Sequence, residues 1–263
     1  MDAWRNKWAV VTGASAGIGW AMAEELASGG AHLVLTARRR ERLDQLAKKL
    51  TTERRIKIEI VTADLETHTG PEEVFAFTEK KGLQVDLLVN NAGFGAYGEF
   101  SKSDLAAQLG MVRVNCSAVV HLTRLFLPGM IERRQGDILI VASTAAFQGV
   151  PYMAAYGASK AFDLLFAEAL AEEVSRYGVR VCALCPGPTE SEFGQVSGSP
   201  LRSPKGHETA PKVARVGLRA LAAGKHSVIS GFTNWAGAEI QRVLPRRLVT
   251  KGTAMVFRPK DLR

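Results

Sequence analysis

Short apolar segments alternate with longer amphipathic ones along most of the chain. The apolar segments are rich in β-branched residues and end at glycine, proline or polar residues, which is typical of buried strands. Seven strands are predicted, at residues 8–12, 32–37, 56–63, 85–89, 136–142, 179–184 and 226–230. Strands that alternate with helices predict an α/β fold, a doubly wound and mostly parallel seven-stranded sheet with right-handed crossovers.

One interval between strands is longer than the others. Residues 103–134 follow helical periodicity and predict one long helix. Asn115 falls in its apolar middle, where a side-chain amide needs a hydrogen-bonding partner. A structural hydrogen bond between helices and a role in a functional site are both open for this residue.

Composition indicates a single domain spanning residues 1–263. The chain is 46% hydrophobic and 23% charged, which are ordinary values for a globular protein, and no linker or repeat divides it. Residues 190–225 are predicted to form a mobile substrate loop and helix. This segment is rich in Ser, Gly and Pro up to residue 210 and continues as a basic helix at 211–223.

Neither a membrane span nor a secretory leader is predicted. The most apolar long run, residues 119–131, is interrupted by a histidine, an arginine and a proline, and the N-terminus lacks the apolar core of a signal peptide. Three cysteines fit a reducing compartment, so we expect a cytoplasmic protein. Cys182 and Cys185 lie three apart in a predicted strand and should point to opposite faces, unlike a thioredoxin-type pair; burial is expected for both and for Cys116.

The net charge of +8 suggests an anionic ligand or partner. Basic residues are concentrated at residues 38–40 and in the C-terminal segment 240–263. No helix-turn-helix, zinc-ligand or RNP-like pattern accompanies them, so neither nucleic acid nor a metal ion is predicted as a ligand. The C-terminal segment is interpreted first as solvated surface or a face packed on the domain or a sister subunit, and second as a docking site for an anionic membrane. Its basic residues are Arg242, Arg246, Arg247, Lys251, Arg258, Lys260 and Arg263.

A glycine-rich loop follows the first predicted strand. Gly13, Gly17 and Gly19 have the spacing G-x-x-x-G-x-G and lead into a helical pattern. Glycines permit a tight turn and a close approach of the backbone, and the helix N-terminus offers free N–H groups to a phosphate. A dinucleotide site is predicted here, with a plain strand–turn–helix connection as the alternative.

The end of the second strand indicates which dinucleotide binds. Arg38, Arg39 and Arg40 follow this strand, and no carboxylate is present to bind the hydroxyls of an adenosine ribose. A guanidinium suits a 2′-phosphate because it forms paired, charge-assisted hydrogen bonds. NADP(H) is therefore predicted, with Arg38 as the first choice and Arg39 as the second. The alternative is that these arginines begin a solvated helix.

Tyr156 and Lys160 lie four residues apart on a predicted helix, so both project from one face. The lysine cation is expected to favour the phenolate and to lower the tyrosine pKa toward neutral pH, where the phenol can exchange a proton with a reacting oxygen. Ser143 precedes a loop broken by Gly149 and Pro151. That loop should turn the chain back to the Tyr156 helix, so the Ser143 hydroxyl is expected to bind the same oxygen.

Several of these candidates share one position relative to the sheet. Ligands of parallel sheets bind beyond the carboxyl ends of the strands, so residues at those ends are expected to meet in one site. The residues placed there are Gly13, Arg38, Asp64, Asn91, Ser143, Pro186 and Gly187.

In their order and spacing, these motifs resemble the short-chain dehydrogenase/reductase family in its compact form. The likeness covers residues 8–231. The matching motifs are Thr12-Gly13-x-x-x-Gly17-x-Gly19, Asn90-Asn91-Ala92-Gly93, Asn115, Ser143, Tyr156-x-x-x-Lys160 and Pro186-Gly187. The resemblance implies a Rossmann-type fold, an NAD(P)-dependent interconversion of a carbonyl and a secondary alcohol, and a homodimer or homotetramer.

The resemblance also implies four catalytic roles. Tyr156 would be the acid/base, and Lys160 would lower its pKa and bind the nicotinamide ribose. Ser143 would orient the substrate oxygen, and Asn115 would support a water in a proton relay. Thr144 is the alternative to Ser143, because the family commonly has two adjacent serines, although the spacing to the tyrosine favours Ser143.

Cofactor contacts follow from the same resemblance. Asp64 would contact adenine, Asn91 the adenosine side and Thr189 the nicotinamide carboxamide. Ala16 stands where some relatives have a basic residue, which leaves the 2′-phosphate chiefly to Arg38. The complete set of implied cofactor-binding residues is Gly13, Ser15, Ala16, Gly17, Ile18, Gly19, Arg38, Arg39, Asp64, Leu65, Asn91, Ala92, Gly93, Tyr156, Lys160, Pro186, Gly187 and Thr189.

Two functions are compatible with this sequence. The first is an NADP-dependent oxidoreductase that acts on a small-molecule, small or lipophilic, carbonyl or alcohol. The second is a protein that holds NADP(H) as a sensor or scaffold without turnover. The complete set of Asn115, Ser143, Tyr156 and Lys160 favours the enzyme, since a binding protein has no need of all four.

Overall fold

The computed structural model describes residues 2–198 and 207–259. Its centre is a seven-stranded, all-parallel sheet with the order β3-β2-β1-β4-β5-β6-β7, which confirms the predicted α/β doubly wound, Rossmann-type fold. Each predicted strand is present, with ends that differ by up to two residues. The strands are β1 (Trp8–Thr12), β2 (His32–Ala37), β3 (Ile58–Thr62), β4 (Val85–Asn90), β5 (Gly136–Val141), β6 (Val179–Cys185) and β7 (Ser227–Ile229).

Helices connect the strands and cover both faces of the sheet. The α-helices among the described residues are α1 (Gly17–Ser28), α2 (Arg40–Glu53), α3 (Gly70–Lys80), α4 (Leu105–Val112), α5 (Ala118–Glu132), α6 (Ala154–Ser175), α7 (Phe193–Ser197), α8 (Ala210–Ala222), α9 (Phe232–Val243) and α10 (Arg246–Phe257).

Two apolar cores lie on opposite sides of the sheet. The side chains of each strand alternate between them: Val10 of β1 faces the core under α3, α5 and α6, whereas Val11 faces the core under α1, α2 and α8. Cys182 and Cys185 of β6 are buried in different cores, as their spacing of three predicts, and both are free thiols. Cys116 is free and only partly buried, so the expectation of burial was wrong for this residue.

The predicted single helix at 103–134 is interrupted. A π-helical turn, Arg113–Ser117, separates α4 from α5, and this turn inserts an extra residue into the hydrogen-bond ladder. Leu105–Glu132 as a whole is long and apolar enough to cross a membrane by length and composition, which the sequence analysis did not anticipate. The α5 part of this stretch packs on α3, β4 and β5 and belongs to the core on that side of the sheet.

The C-terminal part differs most from expectation. The segment 240–263 was predicted only as a basic stretch, but its described part contains the last turn of α9 and the whole of α10. The segment 190–225, predicted as a mobile loop and helix, contains the short helix α7 and the longer α8. Residues 199–206 of that segment lie outside the described residues.

Candidate active site

A cavity of about 1000 Å³ opens beyond the carboxyl ends of the strands. It lies where the strand order reverses between β1 and β4, the position at which doubly wound sheets bind ligands. The structure brings most of the predicted site residues to its wall. They are Gly13, Ser15, Ala16, Gly17, Ile18, Arg38, Arg39, Asp64, Leu65, Asn91, Ala92, Gly93, Ser143, Thr144, Tyr156, Lys160, Pro186, Gly187 and Thr189.

The glycine loop forms one side of this cavity. Gly13 and Gly17 both have positive φ, 65° and 55°, which permits the tight turn between β1 and α1. The residue that precedes α1 is Ala16, and its side chain makes no capping hydrogen bond. The first N–H groups of α1 therefore remain available to an anion such as a phosphate.

Gly19 has a different role from the one expected. It does not line the cavity; a Cβ at this position would collide with the Gly13 carbonyl oxygen and the Asn91 side-chain amide. Asn91 in turn donates to the Thr12 carbonyl oxygen at 2.8 Å, and the backbone N–H of Asn91 donates to the Thr12 hydroxyl at 2.9 Å. Gly19 thus allows the end of β4 to pack closely on the glycine loop.

Two arginines that follow β2 line the cavity. Arg39, the second choice from the sequence, donates to the Ser15 hydroxyl at 3.1 and 3.3 Å and pairs with Glu192 at 2.8 Å. Arg38 lines the same cavity and has an exposed side chain. The Arg39 guanidinium therefore lies next to the glycine loop, and Glu192 is an acidic neighbour that the sequence analysis did not include.

Tyr156 lies opposite the glycine loop on α6. Its side chain hydrogen bonds with that of Ser143, which also accepts from the backbone N–H of Ala145 at 3.1 Å. Its ring lies 5.1 Å from the ring of Phe193. Thr144 lines the cavity as well, but Ser143 is the residue whose hydroxyl meets the tyrosine, in agreement with the spacing argument.

The pKa of Tyr156 is raised, contrary to the sequence-based expectation that it is lowered. Burial is the largest cause, because removal from water disfavours the phenolate. The Lys160 cation and the Ser143 hydrogen bond do act in the expected direction, but the nearby charge of Asp163 adds to the effect of burial. Sequence spacing revealed the lysine but not the burial or the second charge.

Lys160 is held by two acceptors. Its Nζ donates to the Val141 carbonyl oxygen at 2.8 Å and to Asp163 Oδ2 at 2.9 Å. Burial alone would lower the pKa of Lys160, but the negative charge of Asp163 and the phenol of Tyr156 leave it raised, so the amine stays protonated. Asp163 was missed from the sequence, although a carboxylate three residues after Lys160 in an apolar helical run was a usable signal.

Asn115 lies beneath the cavity rather than on its wall. It is fully buried in the π-helical turn and spans two elements: its Oδ1 accepts from the Phe94 N–H, and its Nδ2 donates to the Phe94 carbonyl oxygen and to Ser159 Oγ at 3.0 Å. The hydrogen bond between helices, one of the two alternatives left open by the sequence, is thus present. A Cβ on Gly93 would lie 3.0 Å from Asn115 Oδ1 and 3.5 Å from Lys160 Nζ, so the glycine keeps these groups adjacent.

The rest of the cavity wall is mostly apolar. It is formed by the loop after β4, the turn before α6, α7 and the end of α10. The Tyr97 hydroxyl donates to the Phe257 carbonyl oxygen at 2.7 Å and ties α10 to this wall. The apolar residues that line this part are Phe94, Val150, Met153, Phe193, Val196 and Phe257. Among residues 2–198 and 207–259, no cluster of three or more His, Cys, Asp or Glu side chains could hold a metal ion.

Comparison with known proteins agrees with this site. A family model described as short chain dehydrogenase matches residues 7–200. A very-long-chain 3-oxoacyl-CoA reductase from Danio rerio is 31% identical over 255 residues, which cover 94% of this chain and 78% of the relative. A reductase of the same description from Bos taurus is 35% identical, but the match spans 59% of its length. The chain belongs to the short-chain dehydrogenase/reductase family and is an oxidoreductase of that family.

Solved structures show the same architecture. A short-chain dehydrogenase from Sphingobium yanoikuyae in complex with NADPH is 28% identical with a TM-score of 0.81, over 90% of this chain and 93% of that one. An L-sorbose reductase from Gluconobacter frateurii with NADPH and L-sorbose is 29% identical with a TM-score of 0.77, over 88% and 98%. A relative from Burkholderia phymatum in complex with NAD has a TM-score of 0.81 at 26% identity, over 91% and 94%.

Proposed function

We propose that this protein reduces the carbonyl group of a lipophilic substrate to a secondary alcohol and uses NADPH as the hydride donor. The observation that carries this proposal is the convergence of Tyr156, Ser143 and Lys160 on a cavity whose opposite wall is the glycine loop. A dinucleotide that spans this cavity would place its nicotinamide beside the tyrosine and its phosphates on α1.

The residues present fit NADP(H). The uncapped N-terminus of α1 suits the pyrophosphate, and Arg38 and Arg39 suit a 2′-phosphate because guanidinium groups bind phosphate through paired hydrogen bonds. Lys160 has an ammonium group at the cavity wall, where it would bind the nicotinamide ribose. Solved relatives with NADPH and with NAD both exist, so the preference for NADPH rests on these arginines.

When bound, the cofactor would supply a hydride to the carbonyl carbon of the substrate. Tyr156 donates its hydroxyl proton to the carbonyl oxygen as negative charge develops there. The cation of Lys160 stabilises the phenolate that remains, and the Ser143 hydroxyl donates a hydrogen bond to the same oxygen. One hydride and one proton thus convert the carbonyl to an alcohol, and in the reverse direction Tyr156 accepts the proton.

The cavity wall indicates the substrate class. Phe94, Met153, Phe193 and Phe257 surround the side of the cavity that faces Tyr156, so an apolar substrate would displace water there favourably. The names of the relatives suggest a 3-oxoacyl thioester as the first compound to test. A long acyl chain would lie along these apolar side chains.

A turnover assay tests the proposal. NADPH consumption is measured with 3-oxoacyl thioesters of increasing chain length, ketosteroids and sugar ketones, in wild type and in Tyr156→Phe. We expect turnover with the lipophilic carbonyls and a loss of roughly a thousandfold in the variant, with unchanged NADPH binding by fluorescence. NADPH binding without turnover of any carbonyl would instead indicate a non-enzymatic NADP(H)-binding protein.

A further inference from the structure

The two C-terminal helices expose an unusual amount of apolar surface. Half of the sixteen exposed large apolar side chains among the described residues lie between Phe232 and Val256. Val243 is 83% exposed and Phe232 is 78% exposed. Monomeric soluble proteins rarely expose contiguous apolar patches of this kind unless the patch binds something. Here α9, α10 and the two residues that join them are called the C-terminal surface.

The exposed apolar residues follow helical spacing. On α9, Phe232, Trp235, Ile240 and Val243 fall within one face, and the rings of Phe232 and Trp235 lie 5.6 Å apart. The opposite face of α9 carries the buried Ala238. This helix is therefore amphipathic, with its apolar outer side in solvent.

The second helix, α10, also has one exposed side and one side that packs on the protein. Leu248, Lys251 and Met255 of α10 form an exposed stripe with spacings of three and four residues. Thr250 and Phe257 lie on the other side and contact the protein: a Cβ on Gly149 would lie 3.1 Å from Thr250 Oγ1, and Phe257 lines the cavity. The inner side of α10 is therefore already used for packing, and its outer side remains available to a partner.

Charge identifies the kind of partner. Between residues 232 and 259 the chain has five basic residues and one acidic residue, Glu239, which pairs with Arg242 at 3.1 Å. Arg246, Arg247 and Lys251 are exposed on α10, the helix that also carries the exposed Leu248 and Met255. Two copies of so basic a surface would repel each other, whereas an anionic lipid layer attracts it.

We propose that the C-terminal surface docks on an anionic lipid bilayer, with the apolar side chains of α9 and α10 in the interface and their arginines on lipid headgroups. Exposed Trp and Phe beside basic residues are the composition that interfacial helices use. Phe257 belongs both to α10 and to the cavity wall, so docking would bring the cavity close to the bilayer. Delivery of a lipophilic carbonyl from the bilayer rests on the proposed function, whereas docking itself does not.

Sedimentation of the full chain with vesicles tests this proposal. Wild type is mixed with phosphatidylcholine vesicles and with vesicles that also contain phosphatidylglycerol, at low and at high salt. We expect binding to the anionic vesicles, weakened by salt, and little binding to phosphatidylcholine alone. The same samples assayed without vesicles report whether NADPH-dependent turnover is intact, which separates a failure of docking from a failure of the proposed reaction.

Two paired variants and two matched controls sharpen the experiment. Arg246→Glu/Arg247→Glu and Ile240→Ser/Val243→Ser should each weaken vesicle binding by about tenfold or more. Arg54→Glu/Arg55→Glu and Leu165→Ser change equally exposed groups elsewhere and should bind as wild type.

Three results would overturn the proposal. The first is no sedimentation with anionic vesicles. The second is an equal loss of vesicle binding in the paired variants and in the control variants. The third is a change of oligomeric state in Ile240→Ser/Val243→Ser without any vesicle binding by wild type, which would assign the surface to a second copy of the chain.

Discussion

Lys160 Nζ lies 2.9 Å from Oδ2 of Asp163, one turn further along α6, and both side chains are buried. The second oxygen of Asp163 is buried and has no hydrogen-bond partner among the residues that the structure describes. The ammonium group that would act on Tyr156 therefore has a counter-charge of its own. Asp163 keeps Lys160 protonated, but it also offsets part of the effect of Lys160 on the tyrosine.

The variant Asp163→Asn removes this charge and nearly keeps the shape. Asp163 raises the pKa of Tyr156, as does burial, the larger cause, so its removal should lower that pKa. We expect the pH at which alcohol oxidation reaches half its maximum to fall. Loss of one partner of a buried ion pair should also lower the free energy of unfolding by roughly 3 kcal/mol. Initial rates across pH and denaturant titrations measure the two effects.

Asp137→Asn is the matched control for this prediction. Asp137 is also buried, and it accepts from Arg180 and from Trp4 at the opposite end of the sheet from the cavity. This substitution should destabilise the protein without any change in the pH profile. A pH profile of Asp163→Asn that stays in place, or moves to higher pH, would show that the carboxylate does not offset the lysine in this way.

The proposed acid/base role of Tyr156 sets the direction of the pH dependence, and its raised pKa sets the pH range in which the rates change. Reduction needs the protonated phenol, so it should be maximal below the pKa of Tyr156 and decline as the pH rises through it. Oxidation needs the phenolate and should therefore increase over the same range. Because burial raises this pKa above its ordinary value, we expect reduction to stay constant across neutral pH. Values of kcat in both directions test this; a decline of reduction at neutral pH would contradict it.

Arg39 and Arg38 should determine the choice of cofactor. Replacement of Arg39 by Ala removes a guanidinium beside Ser15, and hydrogen bonds to charged groups contribute about 1.5–3 kcal/mol, so NADPH binding should weaken by about tenfold to a hundredfold. Arg38→Ala should behave similarly, and NADH binding should change little in both. Arg40→Ala is the control, because Arg40 is exposed and pairs with Asp44. Equal losses for NADH and NADPH would contradict a 2′-phosphate site.

Glu192 would compete with a 2′-phosphate for Arg39. It pairs with Arg39 at 2.8 Å and with Arg42 at 3.4 Å, and these side chains are partly exposed. Exposed pairs contribute up to about 1 kcal/mol, so Glu192→Gln should tighten NADPH binding by about twofold to fivefold. Glu190→Gln removes an equal charge from a neighbouring position on the cavity wall and serves as the control. Titrations with NADPH measure this change. An unchanged NADPH affinity in Glu192→Gln would show that the ion pair with Glu192 does not restrain Arg39.

Local patterns were sufficient for the sheet and for most of the cavity. A buried parallel strand must be apolar along its whole length, so each strand was visible as a short run, and its carboxyl end marked the residues that would face the ligand. Tyr156 and Lys160 share a helix, so their proximity follows from helical geometry alone. The opposite directions of Cys182 and Cys185 follow from strand geometry in the same way.

Other features depend on contacts between distant segments, which no local pattern reports. The π-helical turn at Asn115 is fixed by hydrogen bonds to Phe94 and Ser159, and the position of Gly19 is fixed by Asn91. Glu192 approaches Arg39 only after the chain has folded across about 150 residues of sequence. The helices α9 and α10 were missed because their apolar residues lie partly on the outside.

The sequence by itself determined the order of strands and helices along the chain, the glycine loop and the choice of Tyr156 and Lys160 as candidate reacting side chains, because each depends on a short-range period or a residue type. Only the tertiary structure decided the electrostatics of the site. The pKa of Tyr156 depends on how far the surrounding protein excludes water and on how close Asp163 comes to Lys160. Burial and charge separation are properties of the packed molecule, and here burial outweighs the lysine that the sequence had made conspicuous.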